Sequence, residues 1–201
     1  MKLLSRISGG KNYFDELFEK VTAVADTVLA AVFSDCRFSG CDFSGSLFGD
    51  CQFRNCLFEN CRLNLWRLSG SEFAGCEFVS CDMSGIDWTA ASLPKLRLCC
   101  PLEFTDCRLN HSSFIGLDMQ ELRATDCQLQ ETDLRNAVIN NARFAGCDFY
   151  NSLFGNTDLR KADFSGARNY LISIAENKCQ NAKFSMPEAL NLLTSSGVQI
   201  V

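Results

Sequence analysis

The sequence predicts an all-β solenoid, a tube whose chain turns a corner every five residues. Three observations carry this: large apolar residues recur at a period of five, small residues stand two places before them, and polar or turn-forming residues fill the other places. Phe33, Phe38, Phe43, Phe48, Phe53 and Phe58 open a run that keeps every fifth position through Trp88, Leu93 and Leu98. Past Cys99, Cys100 and Pro101 the count slips by one residue. It then resumes at Phe104 and runs through Phe114, Leu134 and Phe149 to Phe164, for 27 central positions in all. A period of five matches neither a helix, at about 3.6 residues per turn, nor a flat strand, at about 2, so fixed-period self-similarity governs the reading.

The residue two places before a central one is mostly small, as at Cys36, Cys41, Ser46, Cys51, Thr132, Ala137 and Ala162. In a short extended segment, residues two apart share a face, so the large residue and its small predecessor point inward together. Cysteines at the small position recur most often at a spacing of 20: Cys36, Cys56 and Cys76 form one row, Cys41, Cys61 and Cys81 a second, Cys107, Cys127 and Cys147 a third. Spacings of 10, 15 and 25 recur less often. Four units per coil are therefore expected, and nearly seven coils at roughly 4.8 Å each give a rod of about 32 Å before its ends are capped.

Units such as Ala162-Asp163-Phe164-Ser165-Gly166 and Thr132-Asp133-Leu134-Arg135-Asn136 resemble the pentapeptide-repeat family, whose unit is a small residue, Asp or Asn, Leu or Phe, and two variable residues. The resemblance covers residues 31–167. It implies a right-handed quadrilateral β-helix; the handedness comes from the family, not from the spacing. The expected organisation is an N-terminal segment and ragged first coil at 1–30, N-terminal coils at 31–98, a one-residue register break at 99–103, C-terminal coils at 104–184, and a C-terminal helix and tail at 185–201.

Composition points to a cytoplasmic binding protein rather than an enzyme. The 201 residues carry a net charge of −5, with no apolar stretch near the roughly 18 residues that span a bilayer. Residues 1–10 lack the apolar centre of a secretory signal. Neighbouring cysteines have four residues between them and alternate with core aromatics, unlike the paired ligands of zinc sites, so they read as buried reduced thiols. Cys99 and Cys100, at the slip, fall outside that register. His111 is the only histidine, stands at an outward position and has no nucleophile at a defined distance. No catalytic, cofactor or metal residues are expected.

The ends read differently from the rod. Tyr13, Phe18 and Val28 keep the phase of the first run, whereas Asn169, Ile174 and Cys179 keep the later phase loosely until Phe184 restores it. Residues 187–193 read as a short helix, with Ser185 as N-cap and Gly197 beyond the last turn, and 198–201 alternate like a strand. Such an apolar end caps the solenoid or pairs with a second copy. Leu190, Leu193, Val198 and Ile200 are the candidate dimer residues.

This ending resembles that of the gyrase-protecting branch, the Qnr quinolone-resistance and albicidin-resistance proteins. The resemblance implies a homodimer joined through the C-terminal end, in which the rod imitates B-form DNA and engages DNA gyrase or topoisomerase IV without contacting nucleic acid or membrane. The unbroken count predicts no long projecting loop, as in the loopless members. Residues 31–167 hold 18 acids and 12 bases. Wrapping them four to a coil, with the one-residue slip, puts Asp42, Asp82, Glu103, Asp106, Asp126 and Asp163 on one side, interrupted by Arg62, Arg123 and Arg143. That side is the candidate partner surface. A scaffold for some other protein is the alternative.

Overall fold

The structure is a computed structural model that describes residues 2–4, 6–93, 102–195 and 197. Leu98, Cys99, Cys100, Val198 and Ile200 lie outside the described residues. The chain winds into a quadrilateral β-helix. One face carries a ten-stranded parallel sheet, running from Lys2–Leu4 and Glu16–Glu19 through Arg37–Ser39, Leu57–Glu59, Cys76–Val79, Leu102–Thr105, Arg123–Thr125, Arg143–Ala145 and Asp163–Phe164 to Lys183–Phe184. At about 4.8 Å per step its nine intervals make roughly 43 Å, longer than the sequence estimate because the end coils join the stack. An adjoining face carries four strands, Asn12–Phe14, Val32–Ser34, Gln52–Arg54 and Glu72–Ala74, and elsewhere the coils meet largely through single bridges.

Four faces follow in chain order, each named by its central column. Face I holds Tyr13, Phe33, Phe53 and Phe73; face II, the ten-stranded one, holds Phe18, Phe38, Phe58, Phe78 and Phe104; face III holds Phe43, Leu63, Met83 and Leu109; face IV holds Val28, Phe48, Leu68, Trp88 and Phe114. Residues pair with those 20 positions on, as in Phe33 with Phe53 and Phe38 with Phe58, so four units close each coil. Described central residues from Phe33 to Trp88 and from Phe104 to Phe164 are buried, and Leu93 is partly buried against them.

The corners explain the turn residues. The residue two places after a central one takes positive φ, near +50° to +75°, as at Asp35, Gly40, Gly45, Asn55, Asp106, Asp126 and Asn136; Ala90 after Trp88 is an exception, in a 3-10 turn. Gly, Asn and Asp tolerate this region best, and they dominate the position. Aromatic rings then stack coil on coil: Phe38 lies 4.8 Å from Phe18 and 4.4 Å from Phe58, nearly parallel in both cases. Parallel in-register columns place like side chains directly above one another.

The structure departs from the sequence reading at the break. Phe78 pairs with Phe104, and Ser80 donates to Asp106, at an offset of 26 rather than 20. Six surplus residues, one whole unit and one more, therefore fall between Leu93 and Leu102. The phase of the apolar count hid the extra unit, because inserting five residues leaves a five-residue period unchanged. The expectation of an uninterrupted rod with a one-residue slip and no room for an insertion is corrected accordingly.

The inward positions are also less uniform than the repeat suggests. Trp66 and Leu122 occupy small-residue slots and are buried, and in Leu122's unit the central place is taken by Ala124. Large and small have exchanged places there while both remain in the core. At the C-terminus a 3-10 turn at Glu188–Leu190 leads into a helix at Asn191–Ser195, close to the expected span. Ser185 does not cap it. Its hydroxyl accepts a hydrogen bond from Gly166 N at 2.9 Å, and the turn starts at Pro187 with no side-chain cap.

Candidate partner surface

The outward position before each central residue forms a ladder up each face. On face III it reads Thr22, Asp42, Arg62, Asp82, Arg108, Gln128, Asp148 and Arg168. On face II it includes Glu77, Glu103, Arg123, Arg143, Asp163 and Lys183. The six candidate acids therefore do not share one face. Asp42 and Asp82 stand on face III, Glu103 and Asp163 on face II, and Asp106 and Asp126 on the corner between them. The single-side assignment is corrected: the extra unit at the break sets Arg108 above Asp82 and Glu103 above Glu77.

Four of the six acids are ion-paired one coil away. Arg62 meets Asp42 at 2.5 Å, Arg108 meets Asp82 at 3.3 Å, Arg123 meets Glu103 at 3.0 Å and Lys183 meets Asp163 at 3.4 Å. Partial burial pushes the Asp42 carboxyl up, but hydrogen bonds from Ser44 and the Arg62 guanidinium outweigh it and leave the group below the usual carboxylate range. Hydrogen bonds from Ser165 hold Asp163 down in the same way, and those from Arg135 and Arg160 hold down Asp133 and Asp158. Opposite charges 20 positions apart were the signal for three of these cross-coil pairs, readable once the coil length is known; Arg108 and Asp82, 26 apart across the break, gave no such signal.

Asp106 and Asp126 differ. They stand on consecutive coils of one corner, Asp106 accepts from the Ser80 hydroxyl at 2.9 Å, and neither makes an ion pair among the described residues. A shallow cleft of about 210 Å³ runs beside them, lined by Ser80, Asp82, Asp106, Arg108, Asp126 and Gln128. This corner is the least neutralised part of the predicted surface. His111, exposed on the next corner, lies 3.3 Å from Glu131.

Inside the rod the cysteines are donors as well as fillers. Cys41, Cys61, Cys81 and Cys107 each place Sγ 3.3–3.5 Å from the carbonyl oxygen of a central residue in the coil below. Ser71 and Thr132 make the same bond with a hydroxyl. The interchange of Cys, Ser and Thr at one slot was the sequence signal for this bond, and reading Cys only as a small hydrophobe missed it. Burial pushes the Cys51 thiol up, as expected of a protonated core group. Ten cysteines at inward positions are free and buried, and no three metal-binding side chains cluster among the described residues.

The C-terminal end exposes apolar surface. Leu171, Ile174, Met186 and Leu193 are all exposed, while Leu192 is buried and Leu190 half-buried. Of the four candidate dimer residues, Leu193 presents the most open side chain in the described structure.

A family model described as a pentapeptide repeat region matches residues 31–99 and 100–164. No curated protein matches the chain. Among solved structures, full-length QnrB1, titled a plasmid-mediated fluoroquinolone resistance protein, is similar with a TM-score of 0.62 at 17% identity, over 98% of this chain and 95% of that one. A trypsin-treated variant of the same protein gives 0.52 at 19% identity, over 100% and 96%. HetL, a pentapeptide-repeat protein of heterocyst regulation from Nostoc sp. strain PCC 7120, gives 0.36 at 13%.

Proposed function

The chain belongs to the pentapeptide-repeat family, and from that premise we propose that it is a non-catalytic binding rod that engages a bacterial type II topoisomerase, DNA gyrase or topoisomerase IV, and protects it from an inhibitor. The observation that carries the reading is the acidic corner: Asp106 and Asp126, about 4.8 Å apart along the axis, make no ion pair among the described residues and present a row of negative charge, as a DNA strand does with a phosphate about every 3.4 Å. The end-to-end likeness to a fluoroquinolone resistance protein supports it. The exposed apolar end with Leu193 supports a two-fold, tail-to-tail dimer that doubles the rod's reach.

The test is gyrase supercoiling with and without the protein, in the presence and absence of a quinolone. Protection, with binding that weakens as salt rises, is the expected outcome. A second reading has its own support. Because four of the six acids are neutralised by partners on the rod, a scaffold contacting some other protein through mixed charge fits the same surface. No effect on supercoiling or on poisoned cleavage would favour it.

A further inference from the structure

The first coil does not close. Lys2–Leu4 pairs with Glu16–Glu19 at an offset of 14, Leu3 opposite Leu17, yet Gly10 N already donates to Leu29 O at 2.7 Å with the normal spacing. The chain thus passes from face II to face IV in six residues fewer than a full coil needs. Face III is skipped, and Thr22 has no strand beneath it among the described residues.

The hydrogen bonds of the coil above show what is left open. There Asp42 N donates to Val21 O, Asp42 O accepts from Ala23 N, and Ser44 O accepts from Ala25 N, at 2.8–2.9 Å. One coil lower the matching groups, Thr22 N–H, Thr22 C=O and Val24 C=O, make none of these bonds among the described residues. Below them lies a cleft of about 600 Å³ lined by Arg6, Ile7, Val21, Thr22, Ala23 and Asp26. Ala23 holds the central slot that Phe43, Leu63 and Met83 fill higher on this face, and it is only partly buried.

We propose that this notch binds an extended segment of a partner protein, one repeat long, as a parallel strand beneath Thr22. The ladder sets the chemistry of that segment. Its first residue is small and offers a carbonyl to Thr22 N–H. Its third is large and apolar, fills the space beneath Ala23 and donates its N–H to Thr22 C=O. Its fifth donates to Val24 C=O. Main-chain bonds supply the affinity and the apolar third residue the selectivity, the usual division in strand addition to a sheet edge. Arg6 and Asp26 both line the cleft, so no charge sign is selected.

The experiment titrates the full chain, isotopically labelled, with the capped peptide acetyl-Ala-Asp-Phe-Ser-Gly-amide, which has the required pattern. Saturable shifts confined to Thr22, Ala23 and Val24 are expected, together with slowed exchange of the Thr22 amide. Methylating the peptide nitrogen of its Phe should weaken binding by about fivefold or more, the effect of losing one hydrogen bond. Thr22→Pro should do the same from the protein side; should that variant fail to fold, the methylated peptide on the unaltered chain decides. Absence of saturable shifts at millimolar peptide, equal binding of the methylated peptide, or shifts centred on Phe184 at the opposite end would each overturn the proposal.

Discussion

At the scale of the residue, each inward slot has a job set by the coil above and below it. Phe149 is fully buried among Phe144, Phe154 and Phe164, with ring centroids 5.2–5.6 Å away. Phe149→Ala should lower stability by about 3–5 kcal/mol, read from denaturant unfolding, because a packed tube relaxes poorly around a lost ring. Cys81 should behave differently. Its thiol lies 3.4 Å from Phe58 O, and Ser71 makes the equivalent bond elsewhere, so Cys81→Ser should change stability by no more than about 1 kcal/mol while Cys81→Leu overpacks the slot by about 1–3. The carboxylates set the response to acid. Asp42, Asp133, Asp158 and Asp163 are held below their ordinary values in the folded rod, so the stability they contribute is present above the unfolded carboxylate range, near pH 4, and is lost as pH falls through the folded values. Thermal unfolding should be nearly constant between pH 7 and 5 and decline below about pH 4, and Asp158→Asn should make that decline shallower.

At the scale of the element, the repeat is a template that single units violate in compensating ways. Leu122 fills a small slot and Ala124 the large one in the same unit, so the unit keeps its apolar content while reversing its shape. Leu122→Ala should therefore cost about 2–5 kcal/mol, more than truncation at an ordinary small slot, because no large central neighbour in that unit fills the space. The C-terminal helix is the other element with a decided outcome. Leu192 turns into the core and Leu193 away from it, as neighbouring helical residues must. Leu193→Asp should leave the rod folded and convert a dimer to a monomer in analytical ultracentrifugation; a wild-type monomer at micromolar concentration would end the dimer proposal.

At the scale of the whole molecule, Asp42, Asp82, Glu103 and Asp163 on faces II and III are paired across coils, while Asp106 and Asp126 on the corner between those faces make no ion pair among the described residues. The double variant Asp106→Lys/Asp126→Lys reverses that corner without touching the core. It should weaken gyrase binding and protection by about tenfold or more at low salt, and by less at high salt, where screening shortens the reach of exposed charge to within about 10 Å. Retained protection against every tested poison would remove the acidic corner from the mechanism. Asp42→Asn, in contrast, removes a charge already neutralised by Arg62, so its effect on binding should be small.

What the sequence determined by itself is the local rule. The run from Phe33 to Trp88 and from Phe104 to Phe164, the small residues two places before, and the Gly, Asn and Asp at the corners state which side chains point in and where the chain turns, because these depend only on neighbours within one unit. The cysteine spacing of 20 extended that rule to four units per coil. Three features were decided only by the tertiary structure. The extra unit between Leu93 and Leu102 left the five-residue phase unchanged apart from one residue, so the count could not register it, although it moved Glu103, Asp106, Asp126 and Asp163 off the face that carries Asp42 and Asp82. The neutralisation of Asp42, Asp82, Glu103 and Asp163 depends on which coil lies above each one. The notch beneath Thr22 exists because the first coil is six residues short, a property of how the chain closes on itself rather than of any unit within it.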